Sequence, residues 1–252
     1  MNAFKTWFHK LGSPPFFYEF AGYLRPWLWV GTVVFAIAGL IGGLLLAPPD
    51  YQQGDAYRII FIHVPSAWMS LFIYGVMAIS GLVALVWRIK LAEIIAMESA
   101  PIGAAFTFIT LVTGSLWGKP MWGTYWTWDA RLTSELVLLF IYLGIIGLYH
   151  AFENERQGAR AAAFLIIVGV VNLPIVHYSV VWWNTLHQGT TVRIFAPSSI
   201  SLSMLWPILA MMIATKLYYG VSLLGRARIA VLERERGKDW VRQIVTEGTK
   251  NA

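Results

Sequence analysis

The sequence predicts an all-α integral membrane protein with six transmembrane helices and both termini in the cytoplasm. Three observations carry that expectation. Apolar residues make up 58% of the 252-residue chain and charged residues only 13%, where a soluble domain carries about a quarter charged. The apolar residues fall in long runs near the ~20 residues that cross a bilayer. Lys and Arg, finally, are unevenly divided between alternate connections, which is the signature of membrane orientation.

The first span is WLWVGTVVFAIAGLIGGLLLA, Trp27 to Ala47, stopped by Pro48 and Pro49. It starts too far into the chain and runs too long for a signal peptide, and no small-residue cleavage site follows it, so it reads as an uncleaved span. The second runs from about Ser66 to Trp87. The third, Pro101 to Leu116, is short and rich in Gly and Thr. The fourth runs from Glu135 to Tyr149, with the Glu135 charge tolerated near a helix N-terminus. The fifth, Ala161 to Val181, contains Pro174 as an expected kink. The sixth runs from Ile200 to Tyr219. These limits leave an N-terminal segment, residues 1–26, a six-span domain, 27–219, and a tail, 220–252. In the first segment Phe4, Trp7, Phe8 and Leu11 share a helical face that suits an interfacial helix. The tail mixes both charges and reads as a solvated stop with a modest apolar stripe.

An even number of spans puts both termini on one side. That side collects Lys5, Lys10, Arg25, Arg88, Lys90, Arg156, Arg160 and the eight basic residues from Lys216 to Lys250. The other side has only Arg58, Lys119, Arg131 and Arg193. The termini are therefore expected in the cytoplasm. The connections near 48–65, 117–134 and 182–199 are expected outside, in the periplasm of a two-membrane bacterium.

The sequence also excludes several chemistries. Without cysteine there is no disulfide, no thiolate ligand or nucleophile, and no C-x-x-C-H haem attachment. No G-x-x-x-x-G-K-[ST] loop is present, so the chain does not itself power transport by nucleotide hydrolysis. No charged residue is clearly mid-span, which argues against an ion-coupled pump.

What remains is the second outer connection, WGKPMWGTYWTWDARLT, with Trp117, Trp122, Trp126 and Trp128 among glycines, a proline and charges. Any one of these tryptophans is explained by the interfacial aromatic belt. Four in so short a stretch are not. His63, His187 and His177 share their side of the membrane. A lone interfacial histidine is usually a satisfied polar group, but two from separate segments can ligate one metal from opposite faces. Haem suits that setting: its iron takes axial imidazoles, its ring stacks on indoles, and its propionates match the arginine fork. Arg58, Arg131 and Arg193 are the arginines available for them. His177 competes as a ligand. Asp129 has three readings: orienting a ligand, capping a helix, or pairing with Arg131.

The Trp-rich stretch resembles the WWD signature of haem-handling proteins in cytochrome c biogenesis. Together with RIIFIHVPSAW, HYSVVWWNTLHQG and six spans, it is most similar to the CcmC, or haem exporter protein C, family, over Trp27 through Tyr219. The resemblance implies that His63 and His187 are axial ligands of haem b. It also implies that Trp117, Trp122, Trp126, Trp128 and Asp129 form the platform, at the periplasmic face of a bacterial inner membrane. It implies delivery of haem to the membrane-tethered chaperone CcmE, with CcmD and the ABC-type subunits CcmA and CcmB as partners, and a transfer role rather than conventional catalysis. Two other readings are a cytochrome b-like redox subunit, which requires paired histidines on facing spans, and a haem permease, which requires a polar path through the bundle.

Overall fold

A computed structural model of the chain describes residues 12–187 and 200–250, with side chains as far as Thr246. The segment containing Phe4, Trp7, Phe8 and Leu11 lies outside the described residues, as does Arg193. The described residues form eight α-helices: α1 (Pro14–Leu40), α2 (Ile60–Trp87), α3 (Lys90–Trp122), α4 (Ala130–His150), α5 (Glu155–Gly169), α6 (Asn172–Trp182), α7 (Leu202–Arg234) and α8 (Asp239–Lys250). Six segments are long and apolar enough to cross a membrane, α5 and α6 counting as one.

Every span extends past at least one of its expected limits, for local reasons. Pro14 sits in the first turn of α1, where its missing N–H costs nothing. At its far end α1 widens into a π-turn, Ile41–Leu46, where Gly42 and Gly43 let the rings of Trp206 and Phe61 press onto the backbone. Helix α2 starts at Ile60, ahead of Ser66, after the 3₁₀ turn Asp55–Ile59. It therefore takes His63 out of the loop and into a helix. Helix α3 is twice the length expected: it runs through Trp117 to Trp122 and ends on Gly123, whose φ of 78° closes it with a left-handed cap. Asn154 caps α5, accepting from the Arg156 and Gln157 amides at 3.0 and 3.3 Å.

The fifth span is interrupted one turn ahead of Pro174, where Val170 and Val171 keep helical dihedrals but bond i→i−3, to Ile167 and Val168. In a continuous helix the Pro174 ring collides with the Val170 carbonyl. Helix α7 continues past Tyr219 to Arg234, because its charges find partners: Arg226 meets Glu98 at 2.9 Å and Arg234 meets Glu93 at 2.8 Å. The tail does not behave as a solvated stop. Trp240 packs on Tyr18 with ring centres 6.0 Å apart, and Val241 is buried.

The core lies where α2, α3, α4 and α5 meet, with Ile73, Tyr74, Met77, Leu138, Tyr142, Ile145 and Ile166 all inaccessible. The two buried tyrosines satisfy their hydroxyls on backbone carbonyls: Tyr74 donates to Ile166 at 3.0 Å and Tyr142 to Ser70 at 2.7 Å. A membrane interior leaves no water to do this. Gly103 against Tyr142 and Gly169 against Tyr74 provide the close approach, the usual use of small residues between membrane helices.

A chain without cysteine permits a direct test of the expected orientation. Tyr51→Cys, in the exposed turn after α1, should react with a membrane-impermeant maleimide on intact cells whose outer membrane has been opened. Lys238→Cys should react only after the inner membrane is permeabilised. The opposite pattern would invert the topology.

Candidate functional site

His63 is buried in the early turns of α2, at 7% exposure. Its ring lies on one face of α3 formed by Thr110, Thr113, Gly114 and Trp117, at i, i+3, i+4 and i+7 of a helix. Gly114 is needed here, since a Cβ would stand 3.1 Å from His63 Cε1. Trp117 meets the imidazole edge to face, ring centres 5.7 Å apart and planes at 76°. The Trp117 indole N–H donates to Gln53 Oε1 at 2.9 Å, tying the first connection to α3.

The hydrogen bonds assign the tautomer of His63. Thr113 has one hydroxyl proton, and its oxygen lies 2.6 Å from the Ile109 carbonyl, which can only accept. The His63 Nδ1 contact at 3.0 Å to the same oxygen is then a bond in which Nδ1–H donates. With Nδ1 protonated in the neutral ring, Nε2 keeps its lone pair, the state of a metal-ligating imidazole whose other nitrogen is held in place.

His187 faces His63 across a gap, ring centres 6.2 Å apart and planes at 34°. Two imidazoles on opposite sides of one metal, each bonded at about 2 Å, put their ring centres about 6 Å apart. Among the described residues no group of three or more His, Asp or Glu could hold a bare metal ion. Behind His63, toward the core, is a cavity of about 50 Å³ lined in part by Trp122, Arg131 and Glu135. It has room for water, which needs ~10–15 Å³ by such a measure, but not for a macrocycle.

The remaining expected residues divide. Trp126 and Trp128 pack edge to face, 5.4 Å apart at 81° rather than in one plane, and Trp128 is 78% exposed. Asp129 takes the capping role among its three readings: its carboxylate accepts from the Leu132 amide at 2.8 Å at the start of α4. It does not pair with Arg131, which instead donates to the carbonyls of Val176 and His177 at 3.1 and 3.4 Å. Arg58 also has a structural role, binding Asp55 at 2.8 Å and the Gly43 carbonyl that the π-turn leaves over, also at 2.8 Å. His177 is exposed on α6, packed on Tyr178. His150 lies at the opposite end of α4 beside Tyr149. Among the described residues, only His63 and His187 stand as a facing pair.

Three contributors escaped the sequence reading. Thr113 and Gly114 were legible only as part of a Thr-x-x-Thr-Gly-x-x-Trp helical face. Glu135, expected to be tolerated at a helix end, is buried more than a turn inside α4, with one carboxylate oxygen unpartnered. Lys216 is another ionisable group well inside a span, its ammonium 5.7 Å from the ring centres of Trp68 and Phe72.

Residues 7–242 match the family described as Heme exporter protein C. The chain belongs to the Heme exporter protein C family. It is 50% identical to the Heme exporter protein C of Escherichia coli strain K12 over 94% of this chain and 96% of that protein. It is 50% identical to the Heme exporter protein C of Bradyrhizobium diazoefficiens over 89% of this chain and 85% of that one. A mitochondrial protein of Marchantia polymorpha, described as ccmC-like and of cytochrome c biosynthesis, is 47% identical over 77% of this chain and 82% of its own length. The Heme exporter protein C match spans all the bundle helices, both facing histidines and the Trp-rich connection.

Proposed function

We propose that this chain is a haem export component of c-type cytochrome maturation that carries haem b, as its cargo, between His63 and His187. The observation that carries the reading is the 6.2 Å separation of those two rings, which accommodates one iron with axial imidazoles on opposite faces. Three further features support it. The hydrogen bond to Thr113 leaves the coordinating nitrogen of His63 available. Trp117 stands at 76° to the His63 ring, an orientation compatible with an indole lying along a macrocycle that is itself perpendicular to its axial imidazole. Family membership brings the cargo named in its relatives.

In this reading Trp117 and Trp122 line the inner edge of the haem site and Trp126 and Trp128 its exposed rim, while Asp129 holds the rim by capping α4. Arg131 and Arg58 hold backbone around the site, and propionate contacts fall to their remaining donors or to Arg193. Bound at the rim rather than within the core, haem keeps an edge accessible to a receiving chaperone of the CcmE type. CcmA, CcmB and CcmD are the proposed assembly, and the periplasmic face of the inner membrane the proposed location.

Purified with its haem, the chain should show a low-spin bis-imidazole absorption spectrum. His63→Ala and His187→Ala should each lose most of the haem, and His177→Ala should not. Normal haem content in both of the first two variants would overturn the ligand assignment. Thr113→Val, which removes the acceptor for Nδ1–H, should weaken haem retention about 10- to 100-fold, the usual effect of losing a group that orients a metal ligand. Thr113→Ser should restore it. Equal retention in the two Thr113 variants would show that the tautomer is not held by that hydroxyl.

A further inference from the structure

A large cavity in the bundle is remote from His63 and His187. It measures about 990 Å³ and lies between α1, α3 and α7, reaching from the basic end of the bundle toward the middle of the membrane. It is a groove open to the lipid side, since its wall residues Trp29, Tyr218 and Ile109 are 50%, 42% and 38% exposed. Along most of its length it is apolar, with the hydroxyls of Tyr218 and Ser222 among its few polar groups. The hydroxyls of Thr32 and Thr215 are turned back onto their own helices, on the carbonyls of Leu28 and Met211 at 2.8 and 3.0 Å.

Its basic end is different. The Arg228 guanidinium of α7 lies over Gly22 of α1, and the Arg25 guanidinium of α1 lies over Gly225 of α7, each 3.1 Å from where a Cβ would be. The two helices cross by exchanging arginines over glycines. Arg228 is also stacked on Tyr18, 4.1 Å from the ring centre. Neither arginine forms an ion pair among the described residues, and the Nε of each is buried without a hydrogen-bond partner. By contrast Arg226 and Arg234, nearby on the same helix, both hold carboxylates. Two fixed guanidinium groups at the head of an apolar groove lack an anion.

The dimensions indicate which anion. The α1 wall from Arg25 to Ala36 rises about 16 Å along the helix axis, close to the ~15 Å depth of one hydrocarbon leaflet. A spanning helix of a partner would need twice that. We propose that this groove binds a single anionic phospholipid, its phosphate on Arg25 and Arg228 and its acyl chains along Trp29, Phe106, Ile109 and Met211. The site is independent of the haem reading. No histidine is among the groove's lining residues, and the lipid would fill the crossing of α1 and α7 rather than the Trp-rich end.

The test is native mass spectrometry of the full-length chain in mild detergent, titrated with phosphatidylglycerol and with phosphatidylethanolamine. Wild type should retain one phosphatidylglycerol through delipidation that strips phosphatidylethanolamine. Arg25→Gln/Arg228→Gln should bind phosphatidylglycerol about thirtyfold more weakly, the combined effect of two basic residues at an anionic lipid, with an unchanged haem spectrum. Ala36→Trp, which fills the groove and keeps both arginines, should also lose the lipid, and it carries the test if the double variant does not fold. Equal retention of the two lipids, or of phosphatidylglycerol by wild type and Ala36→Trp, would overturn the proposal. So would haem that stays bound in His63→Ala/His187→Ala and is lost only on changing Arg25 and Arg228.

Discussion

The Trp-rich end of the bundle depends on one polar contact made inside a membrane, the hydrogen bond between His63 and Thr113. An imidazole taken out of water into hydrocarbon must have a partner. Thr113 provides one, and because its own proton is already committed to the Ile109 carbonyl, it settles which nitrogen of His63 donates. Gly114 lets the ring lie against the backbone of α3, and Trp117 covers it from the next turn. The apolar core between α2 and α3 sets their crossing, and this polar seat sets the position from which His63 faces His187.

Three irregular backbone features lie near that seat. The π-turn after α1, the 3₁₀ turn before α2 and the left-handed cap at Gly123 all lie at the Trp-rich end. Side chains hold them: Arg58 takes the spare Gly43 carbonyl, Gln53 ahead of the 3₁₀ turn accepts from the Trp117 indole, and the Lys119 ammonium donates to the Gly123 carbonyl at 3.0 Å. The opposite end is built from ion pairs, with Glu93, Glu98 and Glu235 of α3 and α7 holding Arg234, Arg226 and Lys90. One end is thus braced by charge, while the other leaves aromatic surface exposed. A rim of that second kind suits a cargo that must be released, since a ligand enclosed in the core would require the helices to separate.

The number and type of the spans were legible because hydrophobic run length is a strong signal and nothing in the sequence competes with it. Their limits were less so. Hydropathy ends a span at the first charge or interfacial ring, but the helix does not end there: Lys90, Glu93 and Glu98 begin α3, and Arg226 to Arg234 end α7, because helix-forming charged residues find partners across the basic end. Pro174 was read as a kink, and the interruption falls a turn ahead of it, at Val170, whose carbonyl the ring obstructs. In the site, His63, His187 and Trp117 stood out by residue type. Thr113, Gly114 and Gln53 did not, because their contribution depends on a helical face and a loop contact that no residue type announces. Of the three readings of Asp129, capping is the one its geometry takes, while Arg131 bonds backbone carbonyls of α6.

The central claim is that the two facing imidazoles share one iron. Hyperfine spectroscopy of the oxidised, haem-loaded chain labelled with ¹⁵N-histidine measures this directly. Two axially coupled histidine nitrogens on a low-spin centre are predicted. A single histidine nitrogen, or a high-spin centre with none, would contradict the account.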